Sequence, residues 1–249
     1  MPDANLVLLA LAVAAAMVVG LSKGGVPVVG MLGVPILALA ISPVQAAAVL
    51  LPIYVITDMF GLWVYRRNFD RRNLAILLPA AVFGVAVGWA TATLVSERAV
   101  TLMVGVIGMA YCLDHWRGKG GKALPRQADV PRGLVWGALA GFTSFVSHAG
   151  APPFQWYVLP QWLDKMTYVG TTTIFFAIVN IVKLFPYWAL GQFSPANVKF
   201  ALLLVLPAVA ATLLGVRIVK LVADDLFFRL VMVALFLISL KLIADGFLS

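Results

Sequence analysis

Charged residues in this chain are almost confined to short connections between long apolar runs. Only 11% of the 249 residues are charged, 63% are hydrophobic, and the mean hydropathy is +1.02. A helix that crosses a membrane needs about 20 apolar residues, and apolar runs near that length follow one another along the whole chain. The pattern leaves no room for a soluble domain and predicts an all-α, polytopic membrane protein.

Gly, Pro and charged residues divide the apolar sequence into ten segments. They cover residues 5–20, 26–40, 44–65, 73–94, 99–113, 133–147, 151–163, 168–190, 197–216 and 226–244. The first two segments meet at Ser22-Lys23-Gly24-Gly25-Val26-Pro27, and the sixth and seventh meet at Ser147-His148-Ala149-Gly150-Ala151-Pro152. These junctions predict a broken or re-entrant helix pair at the start of each half. Whether the first and sixth segments span the membrane completely is open.

The net charge of +8 is interpreted as a topology signal. Basic residues concentrate in the connection at 66–72 and in the loop at 114–132, and cytoplasmic connections are rich in Lys and Arg. Placing both connections inside puts thirteen of the 18 Lys and Arg in the cytoplasm and three outside, with both termini outside. The other two, Lys23 and Lys183, lie within apolar segments. Aromatic residues are not interleaved with the basic ones, as they are on base-stacking surfaces, so nucleic acid is not an expected partner.

The chain resembles itself at a shift of about 125 residues. This shift aligns the two junction motifs, and a nearby shift aligns Leu78-Pro79-Ala80 with Leu206-Pro207-Ala208. Each half then holds five segments, an odd number, so the second half is expected to insert upside down. We predict a first membrane repeat at 1–114, a cytoplasmic linker at 115–131 and a second, inverted repeat at 132–249. Such inverted repeats are typical of secondary transporters, whose site lies at the repeat interface near mid-membrane.

The motif Gly20-Leu21-Ser22-Lys23-Gly24-Gly25-Val26-Pro27, the downstream Tyr65-Arg66-Arg67-Asn68-Phe69-Asp70 and the second-half copies resemble the TauE/SafE family of sulfite and organosulfonate exporters, of the toluene-sulfonate uptake permease type. The resemblance implies a multi-pass transporter of the bacterial inner membrane that carries small sulfur-containing or carboxylate anions. Lys23 and His148 stand where the family usually has smaller or neutral residues, and both favour an anion as substrate.

The junction motifs are the first candidate anion site. Helices beginning near Val26 and Ala151 would direct backbone N–H groups and positive dipole ends at a substrate. Gly24, Gly25, Ala149 and Gly150 would allow close approach, and Lys23 and His148 would add a cation and a titratable donor. The alternative is that the glycines only allow tight turns and that Lys23 extends to the cytoplasmic surface.

Asp58 and Lys183 are the second candidate pair. They lie within apolar segments at equivalent repeat positions, and ionisable groups inside a membrane are costly and commonly functional. We expect Lys183 to help hold the anion and Asp58 to exchange a proton or bind a cation; the alternative is a structural ion pair between the two. Thr171 and Asn180 are expected to contribute hydrogen bonds to the substrate, although membrane threonines often bond their own backbone instead.

These features predict a secondary transporter that exports a small sulfur-containing anion by alternating access, with a proton or sodium ion as a possible coupling ion. The alternatives are a carboxylate or organic-anion uptake permease and an anion channel. No enzyme activity is expected, because Ser147 and His148 lack a nucleophile turn and a third group to orient the base. The single Cys112 and only two histidines give no reason to expect a metal or cofactor. The expected partners are the anion, the coupling ion and the lipid bilayer; the oligomeric state is open.

Overall fold

The computed structural model describes residues 2–25, 27–119 and 125–248, and within these ranges every regular element is helical, as predicted. The α-helices are α1 (Pro2–Gly24), α2 (Gly33–Ala38), α3 (Pro43–Tyr65), α4 (Arg71–Ala90), α5 (Glu97–Asp114), α6 (Val130–Ser147), α7 (Ala151–Val158), α8 (Lys165–Ala189), α9 (Pro195–Leu221) and α10 (Asp224–Leu248). Two 3₁₀ helices, Pro27–Leu32 and Leu159–Gln161, and a π-helical turn, His115–Lys119, complete the order. Val26 and part of the predicted linker lie outside the described residues.

Seven of the described helices are long and apolar enough to cross a membrane: α1, α3, α4, α5, α8, α9 and α10. Their outward residues are large and apolar; on α9, for example, Leu203 is 71% exposed and Leu206 is 79% exposed. Such surfaces fit a lipid environment rather than water. The chain is therefore a multi-pass membrane protein.

The breaks predicted at the junction motifs are confirmed, but they are asymmetric. The first helix of each pair is long, since α1 has 23 residues and α6 has 18. The element after each break is short: Pro27–Leu32 with α2, and α7 with Leu159–Gln161. At about 1.5 Å per α-helical and 2.0 Å per 3₁₀ residue, these elements reach roughly 20 Å, short of the roughly 30 Å hydrocarbon core.

The helices form two compact units. The first runs from the N-terminal helix to Asn68 and from Thr172 to Val222, so it holds α1, α2, α3, most of α8, and α9. Within it α1 packs against α9 at very short range. A Cβ on Gly20 would lie 2.0 Å from the carbonyl oxygen of Ala208, and one on Gly24 would lie 2.5 Å from the Cα of Gly215. Glycine allows this close helix contact, which holds the C-terminal end of α1 inside the unit.

The second unit comprises Phe69–Thr171 and the chain from Ala223 onward, and it holds α4, α5, α6, α7 and α10. Here α4 packs against α6, where a Cβ on Gly141 would lie 2.0 Å from the carbonyl oxygen of Ala81. Asn73 and Gln161 form a reciprocal buried amide pair, with N···O distances of 2.8 and 3.0 Å. This pair ties the end of the short α7 element to the start of α4.

Local features recur at repeat-related positions. Asp70 caps α4 by accepting the N–H of Asn73, and Ser194 caps α9 by accepting the N–H of Asn197. Both helices then carry an internal proline, at Pro79 and Pro207. The helix pairs also correspond: α1 packs with α9, and α6 packs with α4. Each pair joins the first helix of one predicted repeat to the fourth helix of the other. The repeat boundaries and the inverted orientation stay predictions.

Candidate functional site

Asp58 is the centre of a buried polar cluster in the first unit. It lies on α3, sixteen residues after the capped start of that helix, and its side chain has no exposed surface. The Nζ of Lys23 lies 2.8 Å from its Oδ1, and the Nδ2 of Asn180 donates to its Oδ2 at 2.8 Å. Both carboxylate oxygens are thus occupied, one by an ammonium group from α1 and one by an amide from α8.

Lys183 brings a second positive charge to the same place. It lies three residues after Asn180 on α8, a spacing that puts both side chains on one helix face, and it is 1% exposed. The charged groups that act on it are Lys23 and Asp58. We call Lys23, Asp58, Asn180 and Lys183 the lysine–aspartate cluster; with all three ionisable groups charged it carries one positive charge in excess.

Two tyrosines of α3 complete the surroundings of Lys23. The Nζ of Lys23 lies 5.0 Å from the ring centroid of Tyr54, a cation–π distance, and the Tyr54 hydroxyl donates to the carbonyl of Gly30 at 2.7 Å. The Tyr65 hydroxyl donates to the carbonyl of Gly24 at 2.6 Å. The sequence interpretation missed both tyrosines, although Tyr54 lies four residues before Asp58 and therefore on the same face of α3.

The position of Lys23 overturns one alternative drawn from the sequence. Lys23 is only 7% exposed, so the idea that it extends to the cytoplasmic surface is wrong. The ammonium group at 2.8 Å from Asp58 is that of Lys23, and a structural ion pair between Asp58 and Lys183 stays a prediction. Repeat symmetry relates Asp58 to Lys183 in sequence, but the packing of α1 decides which lysine reaches the carboxylate.

The two glycines of the first junction allow a close helix contact and a tight turn of the backbone. Gly24 is the close-contact residue against Gly215 of α9, and Gly25 has φ of 137°, a conformation that side chains other than hydrogen rarely allow. These observations support the alternative in which the two glycines shape the turn and the helix packing. A direct contact of Gly24 or Gly25 with substrate stays a prediction.

The second junction motif lies in the second unit. His148 ends α6 in the left-handed conformation, with φ of 52°, and the N–H of Ala149 donates to the carbonyl of Thr143 at 3.2 Å. This is a helix-ending turn with a left-handed residue, a position at which glycine is common. Ala149 and Gly150 are buried. The predicted contribution of His148, Ala149 and Gly150 to substrate binding stays a prediction.

The helix N-termini are poorer anion sites than the sequence suggests. After the first break the chain forms a 3₁₀ helix that begins with Pro27, and α2 begins only at Gly33. In the second half α7 does begin at Ala151, but Pro152 and Pro153 occupy its next two positions. Proline has no N–H to donate. The prolines that mark the breaks therefore also remove hydrogen-bond donors from them.

Thr171 and Asn180 are both already engaged. The Thr171 hydroxyl accepts the N–H of Asp70 at 2.8 Å and donates to the carbonyl of Thr167 at 2.7 Å. It thus makes the backbone contacts that the alternative for membrane threonines anticipates. Asn180 donates to Asp58 through one of its two amide protons, so its expected contact with substrate would be made beside that bond.

Within the described ranges no group of three or more His, Cys, Asp or Glu side chains lies close enough together to hold a metal ion. The lysine–aspartate cluster has groups that are able to bind ions of either sign. Ammonium and amide groups donate hydrogen bonds to an oxyanion, while a carboxylate takes up a proton or a cation.

Comparisons with known proteins place the chain in one family. The family model described as sulfite exporter TauE/SafE matches residues 8–242, nearly the whole chain. Neither the search of curated proteins nor the search of solved structures found a significant match. The match covers both units and all ten α-helices, including the break at which Lys23 meets Asp58. The chain therefore belongs to the TauE/SafE family of sulfite exporters.

Proposed function

We propose that this protein exports a small sulfur-containing anion, such as sulfite, sulfoacetate or another organosulfonate, across the bacterial inner membrane. Transport proceeds by alternating access and is coupled to an ion. The family supports a transporter of small anions, and the seven long apolar helices support a membrane protein. The choice of substrate and of coupling ion must be explained by residues of this chain, whereas the direction is taken from the family.

The observation that carries the proposal is the burial of two lysines and one aspartate in the lysine–aspartate cluster, which carries an excess positive charge when all three are ionised. Lys23 and Lys183 are 7% and 1% exposed, and Asp58 is fully buried. An uncompensated charge in a buried site costs several kcal/mol. One bound monoanion neutralises the cluster, so the protein gains stability from the anion that it carries.

Asp58 is the proposed coupling group. When its carboxylate takes up a proton, the positive charge of the cluster rises by one and an anion binds more tightly. Linkage is reciprocal, so a bound anion in turn favours the protonated carboxyl group. A sodium ion at Asp58 would act in the same way, and varying pH and sodium separately distinguishes the two ions.

The location of the cluster fits alternating access. Lys23 lies in the last turn of α1, directly before the break at Gly25. Secondary transporters bind substrate near mid-membrane at such interrupted helices. A cell interior is electrically negative, and moving one charge through 100 mV is worth about 2.3 kcal/mol. The membrane potential favours outward movement only of an anion that crosses without the coupling cation, and the direction of export is taken from the family.

A ligand screen on the purified protein tests this function. Thermal unfolding is measured with sulfite, sulfoacetate, taurine, thiosulfate, lactate and sulfate, because a ligand stabilises the folded state by about 2.7 kcal/mol at a concentration of 100 times its Kd. We expect sulfite or an organosulfonate to raise the unfolding temperature of the wild type. In Lys183→Gln the apparent affinity should fall at least tenfold, while Lys199→Gln, at an exposed lysine, should behave as the wild type.

Two results of the screen would contradict the proposal. Stabilisation by lactate alone would indicate a carboxylate permease, and equal stabilisation of Lys183→Gln would remove the cluster from the substrate site. The channel alternative is tested in a planar bilayer, where a current far above carrier turnover would replace alternating access with a conducting pore.

A further inference from the structure

A large cavity lies within the second unit, apart from the lysine–aspartate cluster. Its volume is about 1280 Å³. It is lined by the C-terminal end of α5, the start of α10, the end of α7 and the residues that lead into and begin α6. Under the predicted topology these helix ends all belong to the cytoplasmic side of the membrane.

Three arginines line this cavity: Arg126, Arg132 and Arg229. Within the described part of the chain none of their guanidinium groups has a carboxylate within 4.0 Å. Two carboxylates also line the cavity, Asp114 and Asp225, so its charged groups sum to one positive charge in excess. A hydrogen bond of 2.9 Å from the Arg126 N–H to the carbonyl of Pro160 holds this segment at the cavity wall.

The remaining wall is mostly apolar and aromatic. Trp156 packs against Tyr111 at 5.5 Å between ring centroids and stacks on Trp136 at 5.1 Å. Trp116 packs against Phe236 at 5.0 Å. These contacts fix the aromatic side chains in place. An apolar and aromatic wall beside three arginines fits a ligand that has an anionic group on an apolar body.

The size and position of the cavity decide between a soluble anion and a lipid. Small-molecule pockets typically measure about 300–1,000 Å³, so a three-oxygen anion would fill only a minor part of this cavity. Trp116 and Trp162 are 50% and 55% exposed at its rim, and exposed tryptophan is typical of the membrane–water interface. Basic pockets between helices on the cytoplasmic side bind the head groups of anionic lipids.

We propose that this cavity binds an anionic phospholipid of the cytoplasmic leaflet. The phosphate lies among Arg126, Arg132 and Arg229, and the glycerol and upper acyl chains lie along the Trp156 wall. The lipid connects the end of α5 and the start of α10 with the start of α6, so it stabilises the second unit. This inference concerns a site separate from the proposed transport site and stands without it.

Lipid binding is tested by native mass spectrometry of the full-length protein in detergent, with phosphatidylglycerol and phosphatidylcholine of identical acyl chains as probes. We expect phosphatidylglycerol to bind the wild type at least tenfold more tightly than phosphatidylcholine. A triple variant, Arg126→Gln with Arg132→Gln and Arg229→Gln, should lose at least tenfold in phosphatidylglycerol affinity. The corresponding three arginine-to-lysine changes keep the charge and should lose less than threefold.

A matched control removes three cytoplasmic cations outside the cavity: Arg67→Gln, Arg217→Gln and Lys220→Gln, all at exposed positions. It should retain the wild-type preference for phosphatidylglycerol. Equal phosphatidylglycerol binding by the cavity variant and this control would overturn the proposal. Inorganic phosphate that binds as tightly as the lipid, and is lost with the same arginines, would also overturn it by making the cavity an aqueous anion site. Thermal unfolding without added lipid verifies that each variant is folded.

Discussion

At the scale of single residues, the central feature is a carboxylate that shares one buried place with two ammonium groups. Asp58 contacts Lys23 and Asn180, and Lys183 interacts electrostatically with both charged partners. A cluster of this composition becomes neutral either by binding a monoanion or by losing a proton. Anion binding and proton binding at one site are thereby linked, which is what a coupled carrier requires.

The pH dependence of anion binding tests this linkage. Wild-type affinity for an alkyl sulfonate, which stays ionised throughout, should rise as the pH falls from about 8 to about 5, because protonation of Asp58 adds positive charge to the site. In Asp58→Asn this dependence should become weaker, because the carboxyl group no longer takes up a proton. Isothermal titration at several pH values measures it, and an unchanged pH profile in Asp58→Asn would remove Asp58 from coupling.

A double variant controls for the risk that Asp58→Asn does not fold. Asp58→Asn leaves Lys23 buried without its carboxylate, a change that costs about 3–5 kcal/mol in buried pairs. The double variant Lys23→Gln with Asp58→Asn removes both charges and keeps the single positive charge of Lys183. It should fold, bind the sulfonate and lack the part of the pH dependence that is due to Asp58. Failure of the folded double variant to bind would show that Lys183 alone does not hold the anion.

The sequence predicted the ionisable members of this cluster but not their pairing. Asp58 and Lys183 stand out because each interrupts an apolar run, and Lys23 lies in a motif. The contact of Lys23 with Asp58 depends on how far α1 continues before it breaks and on its close approach to α9. Such long-range packing leaves no periodic signal in the sequence, so repeat symmetry was the available guide, and it named a different partner for Asp58.

At the scale of elements, helix pairs approach closely through small residues, as is usual in membranes. Gly20→Ala should destabilise the protein by about 1–2 kcal/mol, because overpacking typically costs about 1–3 kcal/mol and exceeds the gain of up to about 1 kcal/mol in helix propensity. Gly141→Ala should behave alike in the second unit. Ala14→Leu, on the exposed face of α1, is the control. Unchanged thermal stability of both glycine variants would contradict the packing described for α1 and α6.

The start of α8 offers a pH-dependent cap. The Asp164 carboxylate accepts the N–H of Thr167 at 3.0 Å, and hydrogen bonds to Thr167 lower the pKa of Asp164 below its ordinary value. Its stabilisation is therefore present above the ordinary carboxyl pKa and is lost as the pH falls through the lowered pKa. Asp164→Ala should cost about 1 kcal/mol near pH 7.

The amide variant separates the cap from its charge. Asp164→Asn keeps an N-cap acceptor without a titratable group, so its loss of stability should be small and independent of pH. Chemical unfolding at neutral and acidic pH measures both variants. The cap assignment fails if Asp164→Ala and Asp164→Asn lose the same stability at neutral pH.

The positions of the helical segments could be predicted better than their helix type, α or 3₁₀. The ten expected segments correspond to the helical elements within a few residues, because hydropathy reports which residues avoid water. The 3₁₀ geometry of Pro27–Leu32 and the loss of donors at Pro152 and Pro153 were not anticipated. In the sequence, proline marks the breaks, but its missing N–H also determines what a break is able to bind.

At the scale of the whole molecule, the orientation in the membrane rests on the distribution of Lys and Arg. Labelling of single cysteines in intact cells tests it, in a Cys112→Ala background that removes the one native cysteine, which is buried. A membrane-impermeant maleimide should label the Lys199→Cys variant directly. It should label the Arg67→Cys variant only after the membrane is permeabilised. The reverse pattern would invert the predicted topology and place the proposed lipid cavity in the other leaflet.

The division into two compact units was not predicted. The sequence indicates two consecutive halves, yet each unit draws helices from both, since α8 and α9 join α1 to α3, while α4 and α5 join α6, α7 and α10. The duplication defines which residues are equivalent. It leaves open which helices pack together, because many pairings of ten apolar helices bury similar surface.

In the proposed function, the lysine–aspartate cluster carries a small sulfur anion across the membrane. The most direct measurement is the efflux of isotope-labelled sulfite from proteoliposomes with an inside-negative potential, for the wild type, Lys183→Gln and the exposed-lysine control Lys199→Gln. We predict saturable efflux by the wild type and the control, and at least a tenfold lower rate for Lys183→Gln. Efflux by the wild type no faster than from protein-free liposomes, or undiminished efflux by Lys183→Gln, would contradict the account.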